Sequence, residues 1–212
     1  MKIHRISPRG FGANTYVLTQ DNQTAIVIDP SQPRVESELI KLGLTPKYVL
    51  LTHCHFDHVF GVFALQAQGA KVLCLTQEKP LFGTEADLFD AFGAPRFPLR
   101  IDETLTDGQT KTLCDIKITA LHTAGHTKGS ACYLIEDGTE KHLFTGDTLF
   151  AGDTLFAGSI GRTDFPTGDL SAMRKSLQML LGTFTDLPVY SGHGDETTLD
   201  TERKTNPFLA DI

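Results

Sequence analysis

The stretch KYVLLTHCHFDH, residues 47–58, joins an apolar run to a dense cluster of metal-binding side chains. Residues 47–52 are typical of a buried strand, and His53, His55, Asp57 and His58 follow within six positions. Ligands of α/β sheets bind beyond the carboxyl ends of the strands. On a helix, His53 and His55 would point roughly 200° apart, whereas alternate residues of an extended loop point the same way. We therefore expect His53 and His55 to hold one ion, and Asp57 and His58 to turn toward a second.

Further candidate ligands lie downstream, each next to or near a glycine. His126 lies in HTAGHTKGS, His193 follows a predicted strand at 188–191, and Asp147 follows one at 142–145. Glycine-flanked turns can hold a side chain in a tight geometry. Zinc and similar metals bind His nitrogen and Asp oxygen at about 2.0–2.2 Å. Five histidines and two aspartates exceed one tetrahedral shell, so the set fits two neighbouring ions that share a bridging carboxylate.

Composition restricts the class of protein. The 212 residues are 40% hydrophobic and 21% charged, and the net charge is −7 from 26 acidic and 19 basic side chains. This balance disfavours a nucleic-acid partner, and no apolar run approaches the roughly 20 residues of a membrane helix. The N-terminus lacks the apolar region of a signal peptide, and the four cysteines are scattered. We expect a cytoplasmic protein with one domain over residues 1–212, free thiols, no membrane partner and a small-molecule ligand.

Strand patterns and helix patterns alternate along the sequence, which predicts a layered α/β fold. Helices are predicted at residues 35–42, at 80–92 and at 170–181. Asp169 is the predicted N-cap of the last helix and Gly182 its predicted stop.

Five motifs occur in the order THCHFDH, HTAGHTKGS, LFTGDTLFAG, GSIGRTDFPTGD and SGHGDETT. In this order they resemble the metallo-β-lactamase superfamily, and within it the short bacterial metallo-hydrolases that are glyoxalase II-like (hydroxyacylglutathione hydrolase-like). The similarity extends from about Asn14 to residues 206–209. It implies a four-layer αββα sandwich with metal ions at one edge of the sheets. It also implies three ligand roles: His53, His55 and His126 for the first metal, Asp57, His58 and His193 for the second, and the aspartate of the GD motif as the bridge.

A tandem duplication makes the bridging aspartate ambiguous. GDTLFA occupies residues 146–151 and again 152–157, so Asp147 and Asp153 have nearly identical neighbours. An offset of six is even, so either copy presents the same face of a strand. We favour Asp147, because it keeps a short hairpin with the predicted strand at 131–135. Asp153 instead keeps the spacing to GSIGRTDF and would lengthen that hairpin.

The resemblance implies a metal-dependent hydrolase with two divalent ions, zinc being favoured over iron or manganese. Two cations can lower the pKa of a bound water to about 7. We expect the resulting bridging hydroxide to attack a thioester of the S-lactoylglutathione type, with Asp57 and Asp147 as catalytic carboxylates. The alternatives are a persulfide dioxygenase with one iron, and a non-catalytic metal-binding module damaged by the duplication. Since the sequence ends at Ile212, we do not expect the basic C-terminal segment with which longer glyoxalase II enzymes hold glutathione.

Some neighbouring residues allow two interpretations. Arg162, Asp164 and Asp169 either support the metal ligands from outside or only organise their own loop. Cys54 lies between two of the predicted ligands, and the alternation of an extended chain predicts that its thiol points away from the ions. His122 is expected to be an outer partner or a surface residue.

Overall fold

The computed structural model describes residues 1–136 and 148–211. The first of its sheets has six strands whose spatial order follows the chain: β1 (Lys2–Ile6), β2 (Thr15–Thr19), β3 (Thr24–Ile28), β4 (Thr45–Leu50), β5 (Lys71–Leu75) and β6 (Glu103–Leu105). The first three strands are antiparallel, and β3 to β6 are parallel. The strand predicted at 47–52 is β4, which begins and ends two residues earlier.

The C-terminal half supplies the second sheet. The strands of this half of the chain are β7 (Thr110–Leu113), β8 (Ile116–His122), β9 (Ala131–Glu136), β10 (Thr148–Gly152), β11 (Leu155–Phe156), β12 (Ser159–Ile160), β13 (Pro188–Ser191) and β14 (Thr197–Thr198). The sheet order is β14-β13-β10-β9-β8-β7, while β11 and β12 form a small hairpin of their own. Because β8 and β10 are both antiparallel to β9, and β13 is parallel to β10, the strands β8, β10 and β13 run in one direction. Their carboxyl ends therefore meet at one edge of the sheet.

Helices cover the outer face of each sheet. They are α1 (Val35–Leu42), α2 (Phe56–Val59), α3 (Val62–Ala67), α4 (Leu170–Thr183) and α5 (Leu199–Thr205). Alternate residues of the strands enter different cores: in β9, Tyr133 packs between the two sheets and Cys132 packs toward α4. In β3, Ile26 packs between the sheets and Val27 packs toward α1 and α3. This alternation generates four layers, so the predicted αββα sandwich is confirmed.

The local predictions have mixed outcomes. The helix predicted at 35–42 is confirmed, and Asp169 caps α4 by accepting a hydrogen bond from the Ala172 N–H. The predicted helix at 80–92 is wrong: the segment forms only two short 3₁₀ turns, because Leu88 has a φ of 63° and interrupts any helix. Gly182 does not stop α4, which continues to Thr183. The strand predicted at 142–145 lies outside the described residues.

Hydrogen bonds join the two sheets at the edge where the candidate ligands gather. The Ala131 N–H donates to the Thr52 carbonyl at 2.9 Å, and the Tyr133 hydroxyl donates to the Leu51 carbonyl at 2.8 Å. The loop that follows β4 is thereby attached to β9. Within residues 1–136 and 148–211, no helix has the length and apolar composition that a membrane crossing requires.

Candidate metal centre

The loop after β4 has the geometry that its sequence predicts. The chain is extended through His53 and His55, and α2 begins only at Phe56, so that Asp57 and His58 lie on a helical turn. The imidazoles of His53 and His55 face each other, with Nε2 of the first 3.1 Å from Nδ1 of the second. Cys54 points the opposite way, and its thiol lies 3.6 Å from the Ala86 carbonyl. The thiol is therefore not a candidate ligand.

His126 completes a first group of three imidazoles. It lies in the turn after β8, and its Nε2 is 2.9 Å from Nδ1 of His55. The rings of His53, His55 and His126 are buried, and one nitrogen of each lies within 4.8 Å of the others. This is the geometry expected of three ligands to one ion.

Asp57, His58 and His193 form a second group. His193 follows β13 and is partly exposed, and its Nε2 lies 3.3 Å from Oδ2 of Asp57. The rings of His58 and His193 have their centres 5.4 Å apart. His53 and His58, whose ring centres are 4.1 Å apart, bring the two groups together.

Asp153 is the carboxylate that lies between the two groups. Its Oδ1 is 3.3 Å from Nε2 of His58, and its Oδ2 is 3.4 Å from Nε2 of His126 and 3.5 Å from Nε2 of His193. One residue therefore contacts imidazoles of both groups, as a bridging ligand must. Asp147, which the sequence analysis favours for this role, lies outside the described residues. Asp153, the alternative in the sequence analysis, is the GD-motif aspartate that the structure describes at the cluster.

Two glycines allow Asp153 to reach this position. Gly152 has a φ of 48°, and a Cβ there would lie 2.6 Å from the Thr52 side chain. A Cβ on Gly192 would lie 2.3 Å from Oδ1 of Asp153 and 2.8 Å from the His58 ring. The glycines beside Asp153 and His193 are thus required by close packing around the cluster.

The donor set fits a cation on structural grounds. Three buried polar atoms lack a hydrogen-bond partner among the described residues: His55 Nε2, His58 Nε2 and Asp153 Oδ1. Leaving such an atom unpaired costs about 1–3 kcal/mol, and all three belong to the cluster. Hydrogen bonds also turn the lone pairs inward: His126 donates its Nδ1–H to the Arg162 carbonyl at 2.7 Å, which leaves Nε2 free to face the cluster. Imidazole and carboxylate ligands suit zinc, iron and manganese.

The two groups differ in charge in the absence of a metal ion. Burial lowers the pKa of the histidines of the first group, that of His55 to about 3, so these imidazoles are neutral lone-pair donors. Burial also opposes charge on His58 and His193, but nearby carboxylates outweigh it: Asp153, Asp29 and Asp57 raise the pKa of His58, and Asp57 and Asp153 raise the pKa of His193. The pKa of Asp153 is held well below its usual range, because the charge of His58 overcomes burial. A cation in the second group must therefore displace protons.

Asp29 supports the ligands from outside, and the sequence analysis does not identify it. Its carboxylate accepts hydrogen bonds from the Thr52 N–H at 2.8 Å, the Thr52 hydroxyl at 2.6 Å and Nδ1–H of His58 at 2.9 Å. Such carboxylate–histidine pairs orient the imidazole of a metal ligand. The available signal is its place directly after the apolar strand β3, where ligands and their partners gather.

Glu78 is a second residue that the sequence analysis does not identify. Its side chain is buried, and it accepts the Cys54 N–H at 2.7 Å on Oε1 and the Thr127 hydroxyl at 2.8 Å on Oε2. These two donors belong to the loops that carry His55 and His126. Glu78 therefore ties the two loops of the first group together. Because the contacts join distant segments of the chain, no local pattern marks it.

The remaining candidates lie around the cluster. The Arg162 guanidinium pairs with Asp164 at 2.7 Å and lies over the Phe165 ring, so its contribution to the ligands is the main-chain carbonyl. Asp169 serves as the cap of α4. His122 hydrogen-bonds the Lys128 carbonyl at 2.9 Å, outside the ligand set.

A cleft of about 310 Å³ opens at the metal centre. The ligands at its base are His55, Asp57, His126, Asp153 and His193. The remaining lining is mostly aromatic and aliphatic: Phe11, Phe56, Leu88, Phe92, Phe156, Ile160, Arg162 and Phe165. A substrate in this cleft would contact the predicted ligands directly.

Comparison with known proteins identifies the family. The family model of the metallo-beta-lactamase superfamily matches residues 8–193. The chain belongs to this superfamily. Hydroxyacylglutathione hydrolase GloC of Haemophilus influenzae is 33% identical, over 99% of this chain and 98% of that protein.

Solved structures of the superfamily have the same fold over the whole chain. The B3 metallo-beta-lactamase BLEG-1 superposes with a TM-score of 0.86 at 32% identity, covering 99% of this chain and 100% of BLEG-1. TTHA1623, solved in a di-iron-bound form, gives a TM-score of 0.81 at 32% identity, covering 97% of this chain and 100% of TTHA1623. The fold thus occurs both in a lactamase and in a protein that was solved with two irons.

Proposed function

We propose that this metal-dependent hydrolase cleaves thioesters, using two divalent cations held by the residues described above. The proposal depends on the position of Asp153, whose carboxylate contacts imidazoles of both ligand groups. Two adjacent cations lower the pKa of a shared water to about 7 and polarise a carbonyl oxygen. We assign His53, His55 and His126 to one cation, Asp57, His58 and His193 to the other, and Asp153 to both.

The side chains of the cleft support a thioester over an amide as substrate. Apart from the ligands, the described lining holds no histidine or carboxyl group that could donate a proton to a leaving group. An amine leaves only when protonated, whereas a thiol has a pKa near 8.5 and leaves readily as the thiolate. The similarity to hydroxyacylglutathione hydrolase GloC supports the same class and makes S-D-lactoylglutathione the first substrate to assay.

The test combines metal analysis with turnover. Purified protein should contain two metal ions per chain and hydrolyse S-D-lactoylglutathione. His55→Ala and His126→Ala should abolish turnover, whereas His4→Ala, a matched control outside the cluster, should leave it unchanged. Less than one ion per chain together with no thioester turnover would refute the proposal.

The same measurements distinguish the two alternatives. A persulfide dioxygenase with one iron would bind a single ion and consume oxygen with glutathione persulfide. The complete second group, Asp57, His58 and His193, favours two ions. A module inactivated by the duplication would lack a bridging carboxylate, and the position of Asp153 argues against that.

A further inference from the structure

Phenylalanine rings form one wall of the cleft, from solvent down to the ligands. Phe11 stacks almost parallel on Phe56, with ring centres 5.7 Å apart and 8° between the planes. Phe92 lies 6.0 Å from Phe11 and 6.4 Å from Phe165. The Phe165 ring in turn contacts the ligand His55 at 5.6 Å. The aromatic wall, Phe11, Phe56, Phe92 and Phe165, is therefore continuous with the metal centre.

Two further side chains of the cleft, Phe156 and Ile160, are also apolar. Phe156 and Ile160 come from the β11–β12 hairpin, which directly follows Asp153 in the chain. The Phe156 ring lies 6.0 Å from the ring of the ligand His193. Aromatic side chains of the cleft thus adjoin ligands of both groups.

The outer rings of the aromatic wall are exposed. Phe11 is 70% exposed and Phe92 is 50% exposed, although they stack on each other. Contiguous exposed apolar patches commonly mark binding sites. These two side chains stand at the mouth of the cleft, where an apolar ligand would cover them.

Charge in the cleft is scarce outside the ligand set. Outside the ligand set, Arg162 is the one cationic side chain among the described residues of the lining, and its Nε–H and one terminal N–H donate to the two carboxylate oxygens of Asp164, at 2.8 and 2.7 Å. The guanidinium also lies 4.1 Å from the centre of the Phe165 ring. The guanidinium is thus already paired with a carboxylate of its own loop. Away from the metal centre, the cleft therefore favours an apolar part of a substrate over a charged one.

We propose that the cleft selects thioesters whose acyl group carries an apolar ring, in preference to small aliphatic acyl groups. This inference rests on the proposed thioesterase function and specifies its substrate class. Ligand-sized pockets begin at about 300 Å³, and a methyl group would occupy little of that volume. A flat ring in this cleft can contact the aromatic wall and Phe156.

The experiment compares two thioesters that differ at one group. S-D-mandeloylglutathione replaces the methyl of S-D-lactoylglutathione by phenyl and keeps both the thiol and the 2-hydroxyl. We expect kcat/KM to be at least about tenfold higher for the mandeloyl substrate, mainly through a lower KM, because apolar burial favours binding. Phe11→Ala and Phe92→Ala should remove most of this advantage, measured as the ratio of kcat/KM for the mandeloyl substrate to kcat/KM for the lactoyl substrate. Phe63→Ala, an equally exposed phenylalanine outside the cleft, is the matched control.

A binding measurement separates failure of this inference from failure of the proposed function. N-benzylacetamide, a neutral ring-bearing probe, is titrated into metal-free protein and followed by NMR, with N-ethylacetamide as the small control. If the resonances of Phe11 and Phe92 shift saturably with N-benzylacetamide but no thioester is hydrolysed, the thioesterase function is refuted and binding of apolar rings in the cleft is supported. Turnover with equal kcat/KM for both thioesters, and no effect of Phe11→Ala, would overturn the inference while the thioesterase stands.

Discussion

Replacement of Glu78 tests how the protein holds its first three ligands. Glu78→Ala removes the acceptor of the Cys54 N–H and of the Thr127 hydroxyl, both of which are buried. Each loss costs about 1–3 kcal/mol when the donor stays unpaired. The Thr127 hydroxyl retains a hydrogen bond with the Ser130 hydroxyl at 2.8 Å, so the cost of its lost bond to Glu78 is at the low end of this range. We expect the free energy of unfolding to fall by about 2–4 kcal/mol, a large part of the 5–15 kcal/mol typical of a domain.

The same substitution should weaken metal binding. The loops of His55 and His126 lose their common anchor, and removal of such outer partners typically costs 10–100-fold in affinity. Glu78→Gln provides the comparison. Its amide oxygen can accept the Cys54 N–H, and its amide nitrogen can donate to the Thr127 hydroxyl oxygen, which then donates to Ser130. We expect this variant to retain both its stability and its metal affinity.

Two assays measure these effects on the same preparations. Denaturant unfolding of metal-free protein gives the stability, and competition with a coloured chelator gives the metal affinity. Glu85→Ala, an exposed glutamate seven residues along the chain, is the control for general effects of losing a carboxylate. If Glu78→Ala bound metal as tightly as Glu78→Gln, the tie between the two loops would have no role in the metal centre.

Three further predictions concern the second group and the bridge. Asp153→Asn should lose one of two metal ions and all thioester turnover, whereas Asp147→Asn should be unchanged in metal analysis and in rate; the reverse result would assign the bridge to the first GDTLFA copy. Gly192→Ala would bring a Cβ to 2.3 Å from Asp153 Oδ1 and should destabilise the protein by about 1–3 kcal/mol. The control Gly182→Ala places its Cβ in open space within α4 and should stabilise the protein by about 0.5–1 kcal/mol. Equal melting temperatures for the two variants would contradict the close packing at Gly192. His193 has a raised pKa, because the Asp57 hydrogen bond and Asp153 outweigh burial. The affinity for the second ion should therefore rise as pH increases through that pKa, and binding should release protons, which calorimetry in buffers of different ionisation enthalpy measures. A binding heat that does not depend on the buffer would refute this proton release.

The Asp153 prediction also has a control built into the sequence. The two GDTLFA copies are identical, so deletion of residues 146–151 or of 152–157 yields the same chain. The shortened chain retains an aspartate after LFTG, a context close to that of Asp153. Retained metal content and turnover in this variant would show that a single copy is sufficient to supply the bridging carboxylate.

Local patterns in the sequence were sufficient for several features. The apolar run before His53 and the alternation of His53 and His55 depend on residues only one or two positions apart, and the structure has the predicted extended loop. Capping of α4 by Asp169 is equally local. The four layers follow from strands that are apolar on both faces. Such features can be predicted because their causes act along a short stretch of chain.

Contacts between distant segments determined the rest. The two GDTLFA copies are locally indistinguishable, and what brings Asp153 to the cluster is the pairing of β10 with β9 and β13. Glu78 acquires its role from loops near 54 and 127, and Leu88, at a φ of 63°, breaks a helix that periodicity alone predicts at 80–92. The aromatic wall likewise combines rings from residue 11 to residue 165. These features depend on which distant surfaces pack together, and no short window of sequence contains that information.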